Sequence, residues 1–146
     1  MDLQNDLNNE LIELLHEIVK LNQKIVDTGN YQNLVTLCEL DIRIIHFVAE
    51  RENVAIKDIY SAMKLPKTTV VSAVERLTRK GYLDKRPDEE DRRRQNVFLT
   101  ELGKNANYEH EAYEEKFINF ILNQWDSEGQ SDLYRLLKRR KKNDVL

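Results

Sequence analysis

Apolar residues recur every three or four positions near both ends of the chain, which predicts long amphipathic helices there. The first helix is expected over residues 3–27, and Gly29 marks its end. A second is expected over about 101–125, with Thr100 as its N-cap, and a last helix starts at Asp126 or Ser127. These stripes exceed what one small lobe can cover. We therefore expect the helices to pack on each other and on a second copy, as a two-fold homodimer.

The middle of the chain predicts short helices followed by a hairpin. Residues 56–63 and 66–80 read as two helices joined by a tight turn at Lys64 and Leu65, which makes a helix-turn-helix. The later helix should bury Val70, Ala73, Val74 and Leu77. A helix at about 39–51 precedes this pair, and Asn53 and Val54 could start a short edge strand.

Two strand-like runs, residues 83–86 and 95–99, should pair as the hairpin, because Pro87 and the acidic cluster after it disfavour a strand between them. The predicted fold class is mainly α with a small β-hairpin wing. We expect a single domain, 1–146, in which a winged helix-turn-helix lobe at 37–100 is flanked by helical dimerisation regions at 1–36 and 101–146.

Composition narrows the function classes. The net charge of −3 argues against nucleic acid, yet residues 54–100 hold 11 Lys or Arg and only 7 Asp or Glu. A single Cys excludes an internal disulfide, and no apolar run approaches the length that spans a bilayer, so we expect a cytoplasmic protein with no membrane partner. The chain has no Gly-rich phosphate loop, no zinc-ligand spacing and no nucleophile beside a base. We therefore predict no enzyme activity, no catalytic or metal-binding residue and no cofactor.

The polar face of the helix at 66–80 is the first candidate contact with double-stranded DNA. Its first turn carries Lys67, Thr68 and Thr69, the end that points into the major groove in a helix-turn-helix. Ser72 and Arg76 lie one and two turns further on the same side. A solubilising first turn is the alternative, and Arg76 could instead pair with neighbours of Glu75 or with an acid of the wing.

Three arginines at the hairpin tip are the second candidate contact. Narrow minor grooves attract Arg, so one of these arginines could insert there while the others hold phosphates. A solvated turn, whose arginines pair with Glu89, Glu90 and Asp91, is the alternative. Other basic residues could contact phosphates or be ordinary surface cations; these are Lys57, Lys64, Arg79, Lys80, Lys85 and Arg86.

Three segments resemble the MarR family of bacterial transcription regulators: LCELDIRIIHFVAE, LPKTTVVSAVERLTRKGYL and DRRRQNVFLTELG. The last segment carries the most specific match, to the wing signature of the family; the matching residues are Asp91, Arg93, Val97, Leu99, Thr100 and Gly103. The match makes Arg93 the expected inserting residue in the minor groove, with Asp91 steadying its guanidinium through a bidentate pair while Arg92 and Arg94 hold phosphates. The resemblance implies a homodimer with two recognition helices in successive major grooves. It also implies a pseudo-palindromic operator, repression of a promoter, and release by a small aromatic molecule, a metal or an oxidant.

The sequence departs from the family at Cys38, which stands where a Thr usually caps the helix that opens the lobe. Val71 and Ala73 also replace polar or bulkier residues, which predicts a narrow base readout. We expect Cys38 to be a small buried residue rather than a redox switch, since no second Cys could resolve an oxidised form. The residues leave the effector site unknown. They also leave open a second function, a winged-helix module that binds protein rather than DNA.

Overall fold

The computed structural model describes residues 3–139, and the remaining parts of the predicted 1–36 and 101–146 regions lie outside that range. Within these described residues, six helices and three strands follow one another. The helices are α1 (Leu3–Thr28), α2 (Glu39–Ala49), α3 (Ile56–Met63), α4 (Lys67–Arg79), α5 (Glu101–Leu122) and α6 (Ser127–Arg139). The strands are β1 (Val54–Ala55), β2 (Leu83–Pro87) and β3 (Gln95–Leu99), and a 3-10 turn at Leu34–Thr36 links α1 to α2.

The strands form one antiparallel sheet in the order β1-β3-β2. β2 and β3 are the predicted hairpin, paired from Leu83 opposite Leu99 to Pro87 opposite Gln95. β1 is the predicted edge strand and places Val54 opposite Val97. The predicted fold class, a mainly helical winged helix, is therefore confirmed.

One hydrophobic core lies between α2, α3, α4 and the sheet. The four apolar residues predicted for the inner face of α4 are all buried, and Val70, Val74 and Leu77 are completely so. The same core includes Ala106 of α5. The helix that follows the lobe therefore supplies part of the lobe's hydrophobic core.

The ends of α4 are fixed by backbone geometry. Pro66 is the N-cap rather than the first helical residue that we expected, because its ψ of 139° is extended. Gly81 has φ +83°, which only glycine adopts easily. There the Tyr82 amide donates to the Leu77 carbonyl at 2.9 Å and the Gly81 amide to Thr78 at 3.1 Å, the two hydrogen bonds of a Schellman motif.

The start of α5 is hydrogen-bonded to the backbone that follows α4. The Thr100 hydroxyl accepts the Gly103 amide at 3.1 Å, which confirms the predicted N-cap, and lies 2.6 Å from the Gly81 carbonyl oxygen, to which it donates. Gly103 packs so closely that a Cβ there would lie 2.2 Å from the Tyr82 carbonyl oxygen. The wing signature therefore includes a glycine because a helix and a backbone carbonyl meet at this point.

The flanking helices leave much of their apolar stripe uncovered in one chain. α1 buries only Ile25 among its side chains, and α6 buries none. The exposed residues of α1 include Leu3, Leu7, Leu11, Leu14, Leu15 and Val19, and those of α6 include Tyr134, Leu136 and Leu137. No helix within residues 3–139 has both the length and the apolar character needed to cross a bilayer.

Candidate nucleic-acid interface

The outer face of α4 presents the predicted polar residues to solvent. Lys67, Thr68, Thr69 and Ser72 are all exposed, while Val70 beneath them is completely buried. Helical spacing produces this division, since positions three and four apart share one face. The first two turns of α4 therefore offer an ammonium group and three hydroxyls to an approaching ligand.

A groove of about 550 Å³ separates α3 and α4 from the wing. Its walls bring together candidates from three separate parts of the sequence: Lys57 of α3, Lys67 of α4, and Asp91, Arg93 and Arg94 of the wing. The helix and the hairpin tip thus face one shared opening. Sequence spacing alone could not establish this proximity.

Asp88, which the sequence reading did not single out, organises the wing tip. Its Oδ1 accepts the backbone amides of Glu90 and Asp91 at 2.9 and 3.0 Å, and its Oδ2 accepts the Asn96 side-chain amide at 2.8 Å. The hydrogen bond from the Asp91 amide, helped by that from Asn96, holds the pKa of Asp88 below its ordinary value. An acid that precedes a turn by two or three residues is the sequence signal that could have found it.

We expected Asp91 to hold the Arg93 guanidinium, and it does not. Its Oδ1 accepts the backbone amide of Arg93 at 3.0 Å, because a carboxylate two residues before an amide closes a local turn. In the part of the chain that the structure describes, the exposed guanidinium groups of Arg92 and Arg93 make no ion pair or hydrogen bond. Their positive charge is therefore uncompensated by direct contacts, unlike that of Arg94.

Arg94 is turned back toward the lobe. Its guanidinium lies 3.2 Å from the Asp58 carboxylate, 3.4 Å from the Asn53 carbonyl oxygen and 3.3 Å from the Asn96 side-chain oxygen. Asp58 also accepts the Ala55 amide at 2.8 Å at the start of α3. Arg94 thus ties the base of the wing to the helix-turn-helix. The solvated-turn alternative required Arg94 to pair with the acids of the tip, and it does not.

Arg76 makes an ion pair that the sequence did not reveal. Its Nη2 donates to Asp41 Oδ1, and Asp41 is only 1% exposed. Burial would raise the pKa of Asp41, but the hydrogen bonds from Arg76 and Cys38 outweigh it and hold this pKa below its ordinary value. The same hydrogen bond, which Arg76 donates to Asp41, raises the pKa of Arg76. A carboxylate at the third position of a helix predicts the backbone bond to Cys38, but not the partner from α4.

The remaining candidate phosphate contacts differ in exposure and in whether another group already binds them. Lys57, Lys64 and Arg79 are exposed. Lys85 is half-buried, and Arg86 lies 3.1 Å from Asp84 with its guanidinium over the Phe98 ring. Lys80 donates to the Thr36 carbonyl at 3.3 Å.

Comparison with known proteins finds a family match within the lobe. Residues 39–94, which include α2, α3, α4 and the wing tip, match the model of the MarR family. Through this segment the chain is similar to the MarR family. The resemblance drawn from the sequence is confirmed. No curated protein matched the chain by sequence.

Solved MarR-like structures share the fold over nearly the whole chain. YusO from Bacillus subtilis is 15% identical with a TM-score of 0.76, covering 94% of this chain and 93% of its own. MepR of S. aureus, solved bound to ethidium bromide, is 16% identical with a TM-score of 0.69, covering 90% and 91%. FabT from Streptococcus pneumoniae, solved in complex with DNA, is 18% identical with a TM-score of 0.66, covering 92% and 97%.

The MarR-like fold of this chain also contains a cavity of about 830 Å³ between α1, α2 and α5. Tyr31 and Tyr113 line it edge to face, with ring centroids 5.8 Å apart, as do His46 and His110 at the same separation. Burial raises the pKa of Tyr113. Tyr113 therefore lies in the cavity wall and is only partly buried.

The expectation for Cys38 was wrong. Cys38 is exposed rather than buried, because the residue that precedes α2 lies at the surface.

Glu109 of α5 links this helix to the segment that follows α1. It accepts the Asn33 backbone and side-chain amides, each at 2.9 Å. The Tyr82 hydroxyl donates to Asn33 Oδ1 at 3.1 Å, so Asn33 joins α5 to the end of α4.

Proposed function

We propose that this protein is a DNA-binding transcription regulator that acts as a homodimer on a pseudo-palindromic operator and represses the promoter there. The observation that carries the proposal is the shared groove, with Lys67 at the start of α4 on one side and the uncompensated Arg93 of the wing on the other. The match to the MarR family and the likeness to a DNA-bound structure support it. Such a role places the protein in the cytoplasm.

In this proposal α4 enters the major groove by its N-terminal end. Lys67 would contact a phosphate or a guanine edge, and Thr68, Thr69 and Ser72 would bond base edges, with the Thr methyl groups against thymine methyls. Arg93 would insert into the adjacent minor groove, while Arg92 holds a phosphate. Asp91 and Asp88 would act through the backbone of the tip, by fixing the loop from which these arginines project.

The homodimer is proposed from the uncovered apolar residues of the flanking helices. Side chains such as Leu7, Leu11 and Leu15 are about half exposed or more in the single chain. A two-fold interface would remove them from water at about 25 cal/mol per Å² of apolar surface. It would also present two copies of α4, as a palindromic site requires.

The decisive experiment is selection of bound duplexes from a random pool, followed by sequencing. We expect a two-fold symmetric motif with half-sites about one helical turn, or 10 bp, apart. If the dimer neutralises about eight phosphates, log affinity should fall against log salt with a slope near −7. Arg93→Gln should weaken binding, and Lys24→Gln on α1 is the matched control that should not. Failure to enrich any motif, with a flat salt response, would refute DNA binding and favour the protein-binding module.

We further propose that a small-molecule effector occupies the cavity between α1, α2 and α5. The paired tyrosines offer aromatic ring surface, and the lining carries the two carboxylates of Glu39 and Glu114 against the single guanidinium of Arg43. A planar aromatic cation fits this chemistry. Ethidium fluorescence is the probe: we expect saturable binding that Tyr113→Ala weakens and that lowers affinity for the selected duplex. Ethidium binding that Tyr113→Ala leaves unchanged would remove this part of the proposal.

A further inference from the structure

Asp41 is a buried carboxylate whose bonds bridge two helices. It lies in the first turn of α2 and is 1% exposed. Its Oδ2 accepts the Cys38 backbone amide at 3.3 Å, and its Oδ1 accepts Arg76 Nη2 from α4. A buried carboxylate is tolerated only when it is paired and hydrogen-bonded. Arg76 is therefore the group that allows Asp41 to stay charged inside the lobe.

Arg76 stands on the same side of α4 as Ser72, one turn further from the N-terminus. Its side chain is 36% exposed, so the guanidinium lies at the lobe surface but is directed back at α2. The Nη2 group also lies 3.7 Å from Cys38 Sγ. This orientation differs from that of Arg79, which is exposed and makes no side-chain hydrogen bond or ion pair within residues 3–139.

We infer that Arg76 is a positioning residue, which seats α4 on the start of α2 and does not neutralise a phosphate. The inference rests on the proposed function, since it assigns a role within the DNA-binding face. Base readout then falls on the first two turns of α4, from Lys67 to Ser72. The same pair joins α4 to α2, and α2 supplies Ile42 and His46 to the wall of the cavity.

Relative magnitudes favour this assignment over a direct phosphate contact. Swinging Arg76 onto DNA would leave Asp41 buried and unpaired, and removing one partner of a buried ion pair is strongly destabilising. A solvated contact between Arg76 and a phosphate would stabilise the complex much less, because exposed ion pairs contribute little free energy. The ion pair should therefore persist in the DNA complex. A neutral pair releases no counterion, so it contributes to affinity without contributing to the salt slope.

The test uses the full-length protein and a duplex enriched by the selection. Four variants are compared with the wild type: Arg76→Gln, Asp41→Asn, the double variant, and Arg79→Gln as the matched control on the same helix. For each variant, affinity is measured across a salt series, and the melting temperature is measured without DNA. Circular dichroism establishes that each variant is folded.

We expect Arg76→Gln to weaken binding by about tenfold or more and to lower the melting temperature by roughly 10 °C, because Asp41 loses its partner. The double variant should recover most of both losses, since an Asn–Gln pair leaves no buried charge. Neither variant should change the salt slope. Arg79→Gln should make the slope shallower by about 1.8, as two phosphates are lost per dimer.

The inference is overturned if Arg76→Gln makes the salt slope as shallow as the Arg79 control does and the double variant recovers no affinity. It is also overturned if Arg76→Gln leaves affinity and melting temperature unchanged. Failure of the proposed function looks different, because the wild type would then bind no duplex. In that event recovery of melting temperature in the double variant still decides whether the pair seats α4 on α2.

Discussion

Replacing Gly103 with Ala tests the junction between the wing and α5. A Cβ at this position would lie 2.2 Å from the Tyr82 carbonyl oxygen and 3.2 Å from a Leu99 methyl group. The carbonyl cannot retreat freely, because it accepts the Thr100 amide at 3.1 Å and lies 3.2 Å from the Thr100 hydroxyl. The new methyl group must therefore displace either the start of α5 or the exit of α4.

The expected loss follows from three effects. Forcing an extra methyl into a packed site costs about 1–3 kcal/mol. Disturbing the Thr100 N-cap and its bond to the Gly103 amide costs about 1 kcal/mol more. Ala is favoured over Gly in a helix by about 1 kcal/mol, which offsets part of this. We therefore expect a net destabilisation of about 1–3 kcal/mol, or a melting temperature lower by roughly 2–12 °C.

Thermal and urea unfolding, followed by circular dichroism, measure the change. Asn105→Ala is the control, since residue 105 is exposed on the same helix and gains helix propensity without a clash. We expect that control to be neutral or slightly stabilising. If Gly103→Ala matched the stability of Asn105→Ala, the close approach to the Tyr82 carbonyl would not be what requires glycine, and the reasoning would be refuted.

Three further predictions concern the interface, its buried ion pair and the dimer. Arg93→Gln should weaken DNA binding about tenfold but leave the free energy of unfolding within about 0.5 kcal/mol of the wild type, because this exposed side chain has no internal partner. If Arg93→Gln and Arg94→Gln had equal effects on stability and on binding, the difference in their partners would have no consequence, contrary to this prediction. The stability advantage of the wild type over Asp41→Asn should be fully present above the ordinary carboxyl pKa of 3.8, and urea unfolding at several pH values should show it lost as the pH falls through the lower pKa of the folded state. Leu15→Glu should convert the dimer to monomers in light scattering, because it places two unpaired carboxylates in an apolar interface; a dimer that survives would exclude this part of α1 from the contact.

The sequence predicted the elements well because each had strong local signals. The buried face of α4 follows from the spacing of Val70, Ala73, Val74 and Leu77, and all four are buried. Thr100 and Gly81 marked helix ends whose geometry depends on neighbours in the chain. The family resemblance added the wing signature, which located Gly103 without giving its packing reason.

The partners of charged residues could not be predicted in the same way. Arg76 and Asp41 are 35 residues apart and Arg94 and Asp58 are 36 apart, so only the packed lobe brings them together. Nothing in the run of three arginines distinguishes Arg94 from its neighbours. The exposure of Cys38 was also missed, because cysteine is commonly buried and its helix-capping position carried no other signal.

Ala106 and Tyr82 have a consequence for where this protein can be divided. Both belong to the interior of the lobe, although Ala106 lies six residues beyond the boundary at 100 that the sequence suggested. A fragment cut at residue 100 would remove Ala106 from the core cluster, and it would separate the Tyr82 carbonyl from the helix that packs on it at Gly103. We therefore expect an expressed fragment to need at least the first two turns of α5 to behave like the intact chain.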